Sequence, residues 1–324
     1  MTEPLLDNAL PRRVAVTGAA GKLGRVVVAH LRRAGVDVLA VDRAGGRDPR
    51  DVAGEFLLVD LTDYGQVVEA LTGGTDEHGG RIDAVVHLAA VPAPGLLPNA
   101  ATFANNSAAT YHVFAAARAA GIKRVVWASS ETVLGLPFDT PPPYAPVDED
   151  YPPRPESTYA LNKALEEEMA RHFSRWDPEL VLVGLRFSNV MDVEDYAQFP
   201  SFDADPRSRR WNLWGYIDAR DGAQAVERAL RYDRPGAEVF IIANADTVMS
   251  RSSASLMAEV YPGVEVRRDL GEHETLLSID KARRLLGYQP RHSWRDHVDP
   301  AGRGRAPGVD AGPVSDAATG SAGA

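Results

Sequence analysis

The 324-residue chain has no cysteine, which removes disulfides, thiolate nucleophiles and thiolate metal ligands together. A reducing compartment fits that composition without being required by it. No segment approaches the ~20 consecutive apolar residues that cross a bilayer. The stretch from Met1 to Pro11 holds Glu3 and Asp7 and no long apolar core, so neither a membrane span nor an export signal is expected. A basic excess is also missing: 45 acids against 35 lysines and arginines leave a net charge of −10, the wrong sign for displacing counterions from nucleic acid. Histidines and acids nowhere show metal-ligand spacing, Glu272-His273-Glu274 being a lone triplet, so no metal is expected. The protein is expected to be soluble and cytoplasmic, without nucleic acid or membrane as partner. A hydrophobic share of 44% suits an ordinary globular core, and the length suits one large α/β unit with a smaller appended region.

Short apolar runs recur along the first two thirds of the chain at 13–17, 36–41, 56–59, 84–88, 124–128 and 180–185. Between them lie stretches of helical spacing at 22–34, 101–120 and 158–175. Strands apolar on both faces, alternating with helices, predict a parallel sheet covered on both sides by right-handed crossovers, the doubly wound α/β class. Residues 12–190, with a returning segment at 214–245, form the expected sheet domain. Residues 191–300 are expected mostly as a substrate-binding C-terminal cap, in which 191–212 mixes acids, prolines, arginines and aromatics without a period. Helices are expected at 218–232 and 280–286 and a strand at 238–242. From residue 301 the composition turns to Gly, Ala, Pro and Ser, so 301–324 is expected to be a disordered tail.

Thr17-Gly18-Ala19-Ala20-Gly21-Lys22-Leu23-Gly24 follows the first strand and opens the first helix. Glycines there let backbone approach a pyrophosphate, and the helix N-terminus offers unpaired N–H groups to it. Asp42 ends the second strand about twenty residues on, where an acid accepts hydrogen bonds from adenosine ribose hydroxyls and repels a 2′-phosphate. That favours NAD; Arg43 beside it could pair with the phosphate, which keeps NADP open. Further along, Tyr159 and Lys163 are four residues apart, on one face of a helix that Ser157 can cap. An ammonium beside a phenol lowers its pKa from ~10 towards the working range of a base. The competing structural reading makes Leu161, Leu165, Met169 and Phe173 a buried stripe with Tyr159 at its edge.

Taken in order, the glycine turn, Asp60-Leu61, His87-Leu88-Ala89-Ala90, Asn106 before Thr110, Ser129-Ser130 and Tyr159-x-x-x-Lys163 resemble the extended short-chain dehydrogenases, the NAD-dependent epimerase/dehydratase family. The similarity covers roughly residues 14–296. It implies a Rossmann fold, a homodimer packed through helices 101–120 and 158–175, and an oxidoreductase moving hydride at a secondary alcohol or ketone. By the same resemblance Gly18, Gly21, Lys22, Leu23, Gly24, Asp42, Asp60, Leu61, Leu88, Ala89 and Ala90 border the cofactor. Asn106 would support the lysine through water, and Lys163 would bind the nicotinamide ribose. Tyr159 would exchange the proton, and Ser130 would hold the reacting oxygen, with Ser129 as second choice. Asn189, in Arg186-Phe187-Ser188-Asn189-Val190, is a substrate candidate, and Asp221 a helix-orienting acid.

Departures from the family pattern narrow the chemistry. Family dehydratases carry an acid and then a glutamate base after the active-site hydroxyl; here Glu131 and Thr132 stand there, which argues against elimination. Leu134, where nucleotide-sugar epimerases usually carry Tyr, and Trp214, where they usually carry a diphosphate-holding arginine, weaken the case for a nucleotide sugar and resemble the uronate-dehydrogenase branch. Glu131, Asn189 and Arg186 are therefore expected at a sugar- or uronate-like substrate. Arg186, Arg207, Arg209 and Arg210 could clamp a carboxylate, or the last three could be solvated partners of Asp203 and Asp205. Trp211, Trp214 and Tyr216 could stack on a ring or pack a core. An NAD-dependent sugar epimerase and a non-catalytic dinucleotide sensor remain as competing functions.

Overall fold

The computed structural model describes residues 8–43, 54–76 and 78–298; the tail expected over residues 301–324 lies outside them. The elements are β1 (Arg13–Thr17), α1 (Lys22–Arg33), β2 (Asp37–Asp42), β3 (Phe56–Leu58), α2 (Tyr64–Thr72), β4 (Ala84–His87), α3 (Asn99–Ala119) and β5 (Arg124–Ser130). They continue through β6 (Tyr144–Ala145), α4 (Thr158–Trp176), β7 (Val181–Phe187), β8 (Val190–Met191), β9 (Ile217–Asp218), α5 (Ala219–Arg231), β10 (Gly236–Ile242), α6 (Ser253–Val260), β11 (Glu265–Val266) and α7 (Asp280–Leu286).

Seven strands form one parallel sheet in the order β3-β2-β1-β4-β5-β7-β10. Successive side chains on each strand point to opposite faces, so the apolar runs divide between two cores. Val14, Val16, Val38, Ala40, Val86, Val126 and Val183 pack with α1, α5 and α7. Ala15, Leu39, Val41, Val85, Val125, Trp127 and Leu182 pack with α2, α3 and α4. This is why the strands read as continuous hydrophobic runs rather than as alternation. Thr17 at the end of β1 pairs with Val41 of β2 on one side and His87 of β4 on the other. The strand order reverses between β1 and β4, and a crevice opens there beyond the carboxyl ends of the strands.

Two helices had no expectation. α2 starts at Asp63, whose side chain accepts from the N–H groups of Gly65 and Gln66, and α6 starts at Ser252, which caps Ser255. Both are under ten residues, too short for their period to stand out. The stretch expected to be irregular folds into 3-10 helices at Val193–Ala204 and Pro206–Asn212, organised by the buried rings of Tyr196 and Phe199.

Candidate active site

A cavity of about 980 Å³ lies at the β1/β4 switch point. Its floor is the glycine turn. Gly18 has φ +71°, and a Cβ there would stand 2.6 Å from the backbone nitrogen of Ala89, while one on Gly24 would stand 2.0 Å from the Gly18 carbonyl oxygen. Only hydrogen fits at either place. Gly21 is the N-cap of α1 and supplies no capping side chain, and the first turn holds no acid. The leading N–H groups of α1 are therefore open to an anion.

Asp42 closes β2 with one oxygen accepting from the Ala20 N–H at 2.8 Å and the other from its neighbour Arg43 at 2.8 Å. Each oxygen keeps a further lone pair for a hydroxyl donor. Asp60 accepts from the Thr62 N–H at 2.9 Å and the Thr62 hydroxyl at 2.7 Å, bonds that hold its carboxyl below the ordinary carboxylate range. Asp42, Arg43, Asp60, Leu61, Leu88, Ala89 and Ala90 all line the cavity. Lys22 lines it too, but its ammonium is paired at 2.6 Å with Asp195, a partner far away in sequence.

At the other end β5 delivers Ser129 and Ser130, and their alternation separates them. The Ser129 hydroxyl donates to Glu167 at 2.6 Å. The Ser130 hydroxyl accepts from the Thr132 N–H at 3.2 Å, and Ser130 lines the cavity together with Tyr159. Ser157 caps α4 by accepting from the Ala160 N–H at 3.1 Å, which sets the helix phase. Tyr159 and Lys163 then face the cavity on one side of α4, with the lysine nitrogen 5.9 Å from the phenol ring centre. The buried-stripe alternative is overturned: Leu161 and Leu165 are each 42% exposed, whereas Tyr159 is 7% and Lys163 2%.

The electrostatics differ from the expectation of a phenol made acidic by Lys163. Burial pushes the Tyr159 phenol above its ordinary value, and Lys163 only partly opposes it. The ammonium itself is engaged, donating to the Ala128 carbonyl at 2.8 Å and to Glu166 at 2.9 Å. Burial works against the Lys163 charge, but Glu166 and Tyr159 outweigh it and hold its pKa above the usual lysine value. His87 is driven down to about 3 by burial, and it bonds Thr17 at 2.8 Å and Thr110 at 3.2 Å as a neutral ring.

Two expected site residues are spent elsewhere. Arg186 does not reach the cavity; it is 2% exposed and grips Glu167 through Nε at 2.9 Å and a terminal nitrogen at 2.8 Å. A buried guanidinium needs a fixed carboxylate, and Glu167 on α4 provides it, bracing the helix against β7. Asn106 does not line the cavity; its amide clasps the backbone N–H and carbonyl of Val91 at 2.8 and 3.1 Å, and Asn105 lines the cavity.

Asn189 lines the cavity as expected. Asp221 holds the backbone N–H groups of Arg291 and His292 at 2.9 Å. Of the three aromatics only Trp211 faces the cavity; Trp214 and Tyr216 are wholly buried. Glu131 lines the wall beside Ser130 and accepts from Ser188 at 2.5 Å and Asn212 at 3.1 Å. Burial raises its carboxyl to about 7 against the pull of those donors. Glu166 and Glu167 were not singled out from the sequence, although positions three and four beyond Lys163 had to share its helix face. Asp195 carried no signal, because its partner lies across the fold.

The arrangement combines an uncapped helix N-terminus, a strand-end acid and a buried hydroxyl–phenol–ammonium cluster. Residues 14–204 match the NAD dependent epimerase/dehydratase family. The chain is 30% identical to uronate dehydrogenase of Pseudomonas syringae pv. tomato, over 67% of this chain and 69% of that protein. It is 29% identical to L-arabinose 1-dehydrogenase (NAD(P)(+)) of Haloferax volcanii, over 74% and 91%. It is 32% identical to UDP-glucose 4-epimerase 2 of Oryza sativa subsp. japonica, over 55% of this chain and only 44% of the rice protein. Among solved structures, a short-chain dehydrogenase/reductase superfamily protein from Agrobacterium tumefaciens with bound NAD superposes with a TM-score of 0.64 at 25% identity, over 87% and 93% of the two chains.

Proposed function

Since the chain belongs to the NAD dependent epimerase/dehydratase family, we propose that it is an NAD-dependent oxidoreductase moving hydride at a secondary alcohol or ketone of a small sugar- or uronate-like substrate. The observation that carries this reading is the convergence of Ser130, Tyr159 and Lys163 on one buried wall of the cavity whose other end is the glycine turn. A sensor of dinucleotides needs the turn alone.

The residues present fit such a cofactor. The close approaches at Gly18 and Gly24 leave backbone where phosphates need it, the first turn of α1 offers unpaired N–H groups, and Asp42 presents spare lone pairs for ribose hydroxyls. Bound there, the nicotinamide supplies the hydride acceptor or donor. The chain's own residues handle the proton. Ser130 orients the reacting oxygen, the Tyr159 hydroxyl gives or takes its proton, and Lys163, fixed by Glu166 and the Ala128 carbonyl, keeps a positive charge beside the phenol. A diffusible dinucleotide cofactor supports a cytoplasmic working place.

Tyr159→Phe tests the assignment. Turnover, followed by the absorbance of reduced nicotinamide, should fall by ~10²- to 10⁴-fold, the usual share of a positioned acid or base, while NADH affinity stays unchanged. Full activity in this variant would remove α4 as the catalytic helix. Net accumulation of reduced cofactor in the same assay separates a dehydrogenase from an epimerase, which returns the hydride to its substrate.

A further inference from the structure

Similarity leaves the charge of the substrate open, because the relatives are named for L-arabinose, a uronate and UDP-glucose. The cavity wall is more decisive. Among the described residues, the cations that line it are Lys22, Arg43 and Lys163. Lys22 is paired with Asp195 at the glycine turn, Arg43 follows Asp42 at the cofactor end, and Lys163 is paired with Glu166. Beyond Ser130 and Tyr159 the lining includes Glu131, Thr132, Glu156, Ser157, Asn189 and Trp211, and among the described residues no arginine or lysine.

The arginines that could have served an anion lie elsewhere. Arg186 is locked on Glu167 inside the protein, Arg209 stacks behind Trp211 at 4.7 Å, donates to the Gly215 carbonyl and sets its charge against Glu131 rather than lining the cavity, and Arg210 pairs with Asp139. Arg154, which does not line the cavity, is paired with Glu156 at 2.8 Å.

We infer that the substrate end of this cavity takes an uncharged polyhydroxylated molecule, an aldose or polyol, and disfavours uronates and nucleoside diphosphate sugars. The inference rests on the hydride-transfer reading above and deepens it. Enclosing a carboxylate or diphosphate without a facing cation forfeits its hydration with nothing in return, and proteins that select carboxylates meet them with a guanidinium fork. Glu131 adds repulsion when ionised. Protonated, it becomes one more hydroxyl partner beside Thr132, Ser157 and Asn189, and Trp211 offers a ring face to the apolar side of a sugar.

The test is a matched pair. D-Galactose and D-galacturonate differ only in a hydroxymethyl against a carboxylate group, and L-arabinose and UDP-galactose extend the comparison in each direction. With the full-length protein and NAD⁺, kcat/KM for the neutral sugars should exceed that for the anionic ones by ~10-fold or more, a gap that an unpaired buried charge readily produces. Equal or faster oxidation of galacturonate or UDP-galactose would overturn the inference. If no sugar is oxidised, the hydride-transfer reading fails on these substrates, and calorimetric titration of the protein–NADH complex decides the inference separately. Neutral sugars binding more tightly than their anionic partners sustains it; anion-selective binding, or no binding of the neutral sugars, rejects it. In Glu131→Gln the galactose-to-galacturonate ratio should shrink several-fold, and an unchanged ratio would remove Glu131 from the selection.

Discussion

Glu131 shows how burial alone can retune a side chain. Enclosed beside Ser130, its carboxyl is raised from 4.5 to about 7 by desolvation, with Ser188 and Asn212 only partly offsetting the loss of water. Between those two values the unfolded chain has released this proton while the folded chain keeps it, so stability falls as pH rises through that window and stays lowered above it. His87 works in the other direction. Burial lowers it from 6.5 to about 3, so the unfolded state takes up a proton that the fold refuses, and acidification below the upper value costs stability. Comparing wild type with Glu131→Gln cancels the histidine contribution. The variant should lose the decline between mild acid and neutrality and become more stable than wild type near pH 8, by up to about 3 kcal/mol. Thermal unfolding across pH measures it, and parallel curves for the two proteins would refute the shift.

At the scale of elements, α4 has two working faces. One carries Tyr159, Lys163, Glu166 and Glu167 inward; the other leaves Leu161 and Leu165 exposed beside Phe103 and Tyr111 of α3, at 37% and 49% exposure. α3 and α4 are held together by the Asn162 amide on the Ser107 hydroxyl at 2.6 Å. A homodimer through α3 and α4 remains a proposal, and this exposed apolar face is what supports it. Ala116 is wholly buried, taken by the intramolecular core, and the large outward side chains remain for a partner. Leu161→Glu combined with Leu165→Glu should give a monomer by light scattering with unchanged circular dichroism, since neither position supports the core. A wild-type protein already monomeric at micromolar concentration would dismiss the dimer.

Across the whole molecule the cofactor end ties β1, α1 and β2 to the segment 193–204 through the Lys22–Asp195 pair. A ligand seated there binds the folded state only and raises its stability by mass action, about 2.7 kcal/mol at a hundred times Kd. NADH should therefore raise the melting temperature more than NADPH at equal concentration, because in the proposed role Asp42 would accept from ribose hydroxyls and repel an added phosphate. A larger shift with NADPH would mean that Arg43 outweighs Asp42.

Whatever depended on neighbours in the chain was legible from the amino acids alone. Strand runs, the glycine turn, the Ser157 cap and the four-residue interval from Tyr159 to Lys163 are local in sequence, and their geometry follows from backbone sterics and helix pitch. The choice of Ser130 over Ser129 also lay within reach, since adjacent residues of a strand face opposite ways, but which way needed the sheet. Only tertiary packing decided where charges with distant partners ended up. Arg186 stands in a motif suggestive of substrate, yet its strand pairing sets it under α4 opposite Glu167, and an arginine denied water goes to the nearest carboxylate. The Lys163–Glu166 pair, three residues apart on one helix, was within reach, but Lys22 could not be known to share its charge with Asp195, because an ion pair between distant residues depends on distance in space, which the order of residues along a chain does not encode.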